Sequence, residues 1–151
     1  MIAAQNAKYV NLTPPAAIID NSAVTVAELD TLGFDYAQIV VILGATDIAM
    51  TALAVTESDS AGSGHANVTG LVYGTSTDID GDTSALPSAT DDDGFFVFDI
   101  DLRGRKRYLD MSATVGDGAA GTFITIIAIL SRAENEPVTA TERGAKNVLR
   151  V

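Results

Sequence analysis

The chain predicts an all-β fold, a single β-sandwich, and three observations carry that expectation. Val, Ile, Thr, Phe and Tyr gather in short runs separated by Gly, Asp, Ser and Asn, which is how strands and turns alternate along a sequence. The run over residues 95–102 alternates cleanly, with Phe96, Phe98, Ile100 and Leu102 on one face and Val97, Asp99 and Asp101 on the other. Strand-like runs also follow one another without intervening helices, which favours a sandwich or barrel over a βαβ fold. About seven to nine short strands are expected, and that number favours a sandwich of jelly-roll type. No internal repeat suggests a solenoid or propeller.

Taken in order, residues 1–15 read as an extended N-terminal arm that ends at Pro14-Pro15. The sandwich domain is expected over 16–132, and a short C-terminal tail over 133–151. Residues 16–19 make a weak strand candidate, and Ala23-Val24-Thr25-Val26 a second that continues to Leu29. The run 36–43, with Ile39-Val40-Val41-Ile42-Leu43, is apolar on both faces and so belongs between layers. Residues 51–57 place Thr51, Leu53, Val55 and Glu57 on one face. Residues 58–64 are a loop, and 68–73 a strand weakened by Gly70.

Residues 74–94 form a long polar loop with six Asp. A loop of that length in a compact domain is uncommon and often functional. Residues 95–102 and 108–115 are expected to pair as a hairpin, turning at Gly104, with Leu109, Met111, Ala113 and Val115 inward. Residues 122–131 are again apolar on both faces and therefore central. Thr139 and Glu142 have capping-box spacing, which starts one helical turn.

The chain has 151 residues, no Cys, no Trp and one His, and its 9 Lys+Arg against 20 Asp+Glu give a formal charge of −11. The length fits one domain. With 47% hydrophobic residues the chain is too apolar to stay disordered. Thiolate metal cages, disulfides and Cys nucleophiles are excluded. The charge argues against nucleic acid as a partner, because phosphate neutralisation needs Lys and Arg. Met1 to Asn6 lack the basic flank and apolar run of a signal peptide, and no apolar run approaches the ~20 residues of a membrane-spanning helix.

Three local features carry candidate chemistry. Asp78, Asp80 and Asp82 stand at alternate positions, with Asp91, Asp92 and Asp93 nearby, and an acidic loop of this kind can supply oxygen ligands to Ca²⁺. The spacing is not that of an EF-hand, so a solvated turn-forming loop competes with the metal reading. Arg103, Arg105, Lys106 and Arg107 hold four of the nine basic residues. Their forks suit carboxylates on a partner protein, or pairing within the chain to Asp99, Asp101 and Asp110. His65 lies in a Gly/Ser loop without a nucleophile elbow, so no catalytic role and no cofactor are expected.

Several stretches taken together resemble a known group. They are Leu32-Gly33-Phe34-Asp35-Tyr36, Gly44-Ala45-Thr46-Asp47-Ile48-Ala49-Met50, Val55-Thr56-Glu57-Ser58-Asp59, residues 86–92, residues 99–109 and Glu142-Arg143-Gly144. They resemble small phage and prophage proteins found among virion structural genes, some of which look like head decoration, or cement, proteins of tailed phages. The likeness runs from Leu32 to Gly144 and its motifs are not catalytic signatures. It implies a β-sandwich subunit, commonly a trimer, made in the host cytoplasm and bound outside an icosahedral shell. The major capsid protein would be its partner, with no catalysis, no nucleic acid and no membrane involved. The docking elements then expected are the N-terminal arm, through Tyr9, Val10 and Leu12, the C-terminal tail, and the basic turn. The competing expectation is a Ca²⁺-assisted carbohydrate-binding or adhesin-like sandwich.

Overall fold

A computed structural model describes residues 6–149. Eight strands appear: β1 (Lys8–Thr13), β2 (Leu29–Asp30), β3 (Phe34–Thr46), β4 (Met50–Ser58), β5 (Ala66–Val72), β6 (Phe95–Asp101), β7 (Tyr108–Val115) and β8 (Thr122–Ala133). They form two four-stranded antiparallel sheets, ordered β1-β8-β3-β6 and β2-β7-β4-β5, packed face to face as a β-sandwich. There is no α-helix among the described residues.

The order is nested. The chain turns back between β4 and β5, after which β6 returns beside β3, β7 beside β2 and β8 beside β1. Among the described residues only β4 and β5 are sequence neighbours that pair with each other. The remaining connections pass from one sheet to the other, and they run in couples. The β2–β3 and β6–β7 crossovers are joined where Thr31 N donates to Arg107 O (3.1 Å) and Leu102 N to Asp35 O (2.9 Å). The β3–β4 crossover meets the long β5–β6 loop where Met50 N donates to Pro87 O (2.9 Å) and Thr46 N to Asp92 Oδ1 (2.8 Å). The β1–β2 segment meets the β7–β8 turn through Asn21 N to Gly116 O (2.9 Å) and Gly118 N to Asp20 Oδ1 (2.8 Å).

The core follows the period of two. Ile39, Val41 and Leu43 of β3 and Ile126, Ala128 and Leu130 of β8 are buried with Leu53 and Val55 of β4 and Leu109 and Val115 of β7. Burying each large aliphatic side chain contributes about 1.5–3 kcal/mol before chain entropy is charged against it. Two buried hydroxyls satisfy each other where Thr46 Oγ1 and Thr122 Oγ1 lie 2.6 Å apart. Asp47, at the β3–β4 tip, accepts the backbone N–H groups of Ala119, Ala120 and Gly121 at 2.7–2.8 Å, and these bonds lower its carboxyl pKa. Gly121 is required there: its φ is +92°, and a Cβ would run into the Ile19 carbonyl.

The structure corrects four expectations. Residues 8–13 are not an arm but the edge strand β1, hydrogen-bonded to β8, and Leu12 is only 3% exposed. Residues 95–102 and 108–115 do not pair: β6 joins β3, β7 joins β4 and β2, and the turn at Gly104 spans the two sheets. Residues 16–19 and 23–28 are not strands, leaving the isolated bridges Ile19–Thr122 and Ala23–Thr114 and the two-residue β2. Thr51 does not share the buried face of Leu53 and Val55, because the β4–β7 register shifts between Met50 and Ala52. The capping box is formed as expected. Thr139 N donates to Glu142 Oε2 (2.9 Å) and Glu142 N to Thr139 Oγ1 (3.2 Å), closing a single turn.

Candidate interaction surfaces

The basic turn is neutralised within the chain. Arg103 makes a bidentate pair with Asp101 (Nε–Oδ1 2.9 Å, Nη2–Oδ2 2.6 Å), and Arg107 makes another with Asp30 (2.8 and 2.7 Å). Arg105 lies 3.6 Å from Glu57, and Lys106 4.0 Å from Asp59. The Arg103 guanidinium holds the Asp101 carboxyl at a pKa of about 2, and the Arg107 hydrogen bonds lower that of Asp30. Of the three carboxylates expected beside the turn, Asp101 is the one that pairs; the others come from β2 and from the end of β4 and its loop. The Arg107–Asp30 pair couples the β6–β7 and β2–β3 crossovers, so this charge cluster braces one end of the sandwich.

The Asp-rich loop does not gather its carboxylates. Asp78 Oδ1 accepts the N–H groups of Asp80 (3.0 Å) and Asp82 (3.1 Å), the Asx-turn use of such a residue. Asp91 accepts Ser88 N and Ser88 Oγ, and Asp92 accepts Thr46 N. Among the described residues no three acidic or His side chains converge as a metal site. Of the three alternating carboxylates, Asp78 thus forms the turn, and Asp80 and Asp82 supply the N–H groups that it accepts.

That loop closes one side of a cleft of about 440 Å³ between β5 and β6, lined by Leu71, Tyr73, Ile79, Phe95, Val97 and Asp99 among others. Tyr73 shapes it. Its ring packs edge-on against Phe96 and Phe98, with centroids 5.5 and 5.0 Å away. Its hydroxyl donates to Val97 O (3.0 Å) and accepts Val97 N–H (3.2 Å), filling part of the open edge of β6. Burial raises the Tyr73 pKa.

His65 lines neither this cleft nor the hollow described below. Its Nε2 is buried 3.0 Å from Glu28 Oε2 without an aligned hydrogen bond, while Glu28 accepts Gly62 N at 2.7 Å. The pair ties the 59–65 loop to the segment before β2.

Of the expected docking residues at the N-terminus, Leu12 is in the core, Val10 packs against it, and Tyr9 faces out from β1. The turn at 139–145 lies along the free edge of β1: Tyr9 N donates to Arg143 O (2.9 Å), and the buried Arg143 donates to Ala7 O (3.3 Å). Docking expected of the tail is thus partly satisfied inside the chain. Residues 1–5 of the arm and 150–151 of the tail lie outside the described residues.

The surface missed in the sequence is the outer face of the β1-β8-β3-β6 sheet. Its register sets Asn11, Ile127, Val40 and Val97 in one row, and Thr125, Ile42 and Phe95 in the next. A third row holds Tyr9, Ile129, Gln38 and Asp99. Phe95 is 66% exposed, Phe123 46% and Val97 39%. A hollow of about 290 Å³ lies at the end of this face, beside Gly44 and Phe123. The matching rows of the other sheet are Ser112, Ala54 and Val72, then Asp110, Thr56 and Asn67, small or polar side chains. The signal was legible: the runs 39–43 of β3 and 126–130 of β8 are apolar on both faces, yet the sandwich covers one face of each. Family models, curated proteins and solved structures were all compared with the chain, and none matches it.

Proposed function

We propose that this chain is a structural virion subunit that binds and stabilises the outside of an icosahedral phage capsid as an oligomer, and that it carries no catalytic role. The observation that carries the reading is the outer face of the β1-β8-β3-β6 sheet, whose central rows are apolar where a free sandwich face is normally polar. Such a face suits a subunit whose working state is an assembly. The resemblance supplies the setting: a capsid exterior, with the major capsid protein as partner, reached after synthesis in the host cytoplasm. The nested strand order supports a sandwich of jelly-roll type. The test is to add purified protein to expanded capsids of the cognate particle and image them. Ordered density on the outer surface is expected, and failure to decorate capsid or tail rejects the proposal.

A second reading, a carbohydrate-binding or adhesin-like module, rests on the open β5–β6 cleft with exposed Phe95 beside Asp99. A glycan array probed with and without Ca²⁺ tests it, and silence in both removes it.

A further inference from the structure

We infer that the outer face of the β1-β8-β3-β6 sheet is an interface between copies of this chain, each copy covering the face of another. The inference deepens the assembly reading above by naming the surface and its first occupant.

The argument begins with strand chemistry. A strand with one face in the core and one in water alternates apolar and polar residues. β7 does so, with Leu109, Met111 and Ala113 inward and Asp110, Ser112 and Thr114 outward. β3 does not: Ile39, Val41 and Leu43 point into the core, while Val40 and Ile42 point out. In β8 Ile127 and Ile129 point out opposite to Ile126, Ala128 and Leu130. These are central strands flanked on both sides, so their outward side chains can be covered only by something stacked on the sheet.

Charge selects the occupant. A chain of net charge −11 repels its own copies, so copies can meet only where carboxylates are absent. The rows through Val40 and Ile42 run across the sheet without one ionisable side chain. Asp99 and Asp101 stand at one corner, where they fall on the rim. The four cations of the basic turn, which would otherwise attract an acidic neighbour, are already paired within the chain. An uncharged flat face surrounded by acidic surface fits a copy of itself better than it fits a strongly charged partner.

Area agrees. Four strands about 4.8 Å apart span roughly 19 Å, and the rows from Phe123 to Ile129 span roughly 27 Å with their borders. Two such faces stacked at the usual ~10 Å sheet separation bury about 1,000 Å², the threshold for a specific interface.

The test is sedimentation equilibrium on the isolated full chain at about 100 μM, a concentration chosen because an interface of about 1,000 Å² lies at the weak end of specific association. The expected mass is at least twice the 15.6 kDa of one chain. Val40→Lys puts an ammonium in the centre of the face and weakens association at least about tenfold. Val97→Lys does the same from the exposed edge strand, where the fold is least at risk, and circular dichroism confirms that both variants fold. Ser112→Lys, on the other sheet, leaves the mass unchanged. A wild-type mass of one chain overturns the inference, and so does an oligomer whose mass survives both Val40→Lys and Val97→Lys. Capsid decoration is scored separately, so a monomer that still decorates refutes this interface without refuting the virion reading.

Discussion

The two sheets of this sandwich have the same number of strands and the same antiparallel geometry, and each gives one face to a shared core. Their other faces differ. Across the β2-β7-β4-β5 sheet the outward rows are Ser, Thr, Ala, Asp and Asn with Val72 at the edge, and they carry no large apolar side chain at their centre. Across the β1-β8-β3-β6 sheet the two central outward rows hold Val40, Val97, Ile42, Ile127 and Phe95, residues of the same kind as those behind them in the core, with Asn11 and Thr125 as their uncharged polar members. The first face has the small and polar character expected of a sheet surface left to solvent. The second carries an apolar centre of the kind that marks interaction surfaces, and it is the face on which the proposed assembly rests.

The comparison can be broken most severely along β8, where neighbouring residues serve the two sides. Ile126→Ala opens a cavity in the core and is expected to cost about 2–5 kcal/mol in chemical denaturation. Ile127→Ala, one residue on and half-buried, is expected to cost about 1 kcal/mol in dilute solution, with the cost growing as concentration rises and the face becomes covered. Equal costs at every concentration would mean that the outer face is already part of the monomer's packing.

The next effect separates the apolar face from the basic turn. Replacing Arg103 and Arg105 with Ala removes the exposed pair to Asp101 and the long 3.6 Å pair to the less exposed Glu57, and is expected to leave the sedimentation mass unchanged, with at most a small fall in Tm, because such pairs contribute little. If the double variant became monomeric, the basic turn and not the sheet would hold the assembly together.

Asp47 sharpens the contrast from the side of pH. Its folded carboxyl lies below the unfolded value of about 3.9, so its contribution is complete above that pH and is lost as pH falls through the folded pKa. Asp47→Asn should therefore lower Tm near neutrality, and the gap to wild type should close in acid. Association should follow only through folding, because Asp47 sits at a crossover tip away from the central rows.

The smallest expected effect is that of salt. Raising NaCl from about 0.05 to 1 M shortens the screening length from roughly 14 to 3 Å, which relieves repulsion between acidic copies. Association should hold or strengthen modestly. A marked weakening would point to an ionic interface instead.

Much of the fold is legible in the sequence because burial sets a period. Phe98, Ile100 and Leu102 in and Asp99 and Asp101 out follow from alternation alone, as do the inward residues of β7. Alternation says which face a residue takes but not which strand lies beside it, so β6 and β7 read as a hairpin although each pairs in a different sheet. β1 was obscured by its shortness and by Pro14-Pro15, and its membership rests on hydrogen bonds to β8, more than a hundred residues away. The basic turn shows the same limit: its local partner Asp101 was visible, whereas Asp30, Glu57 and Asp59 come to it only through the coupled crossovers and the β4–β7 pairing. The outer face of β3 and β8 was visible as apolar on both sides. What the sequence lacked was the knowledge that only one of those sides faces the other sheet, a matter of which strands pair and stack.

The most direct test uses the absence of Cys from the chain, which makes any introduced thiol the sole label site. Val40→Cys on the apolar face and Ser112→Cys on the polar one are labelled with a maleimide over a dilution series. The account predicts rapid labelling of Cys at 112 at every concentration, and labelling at 40 that is slow in concentrated protein and accelerates on dilution. Labelling at 40 with a rate independent of concentration, under conditions where the chain stays folded, would contradict it.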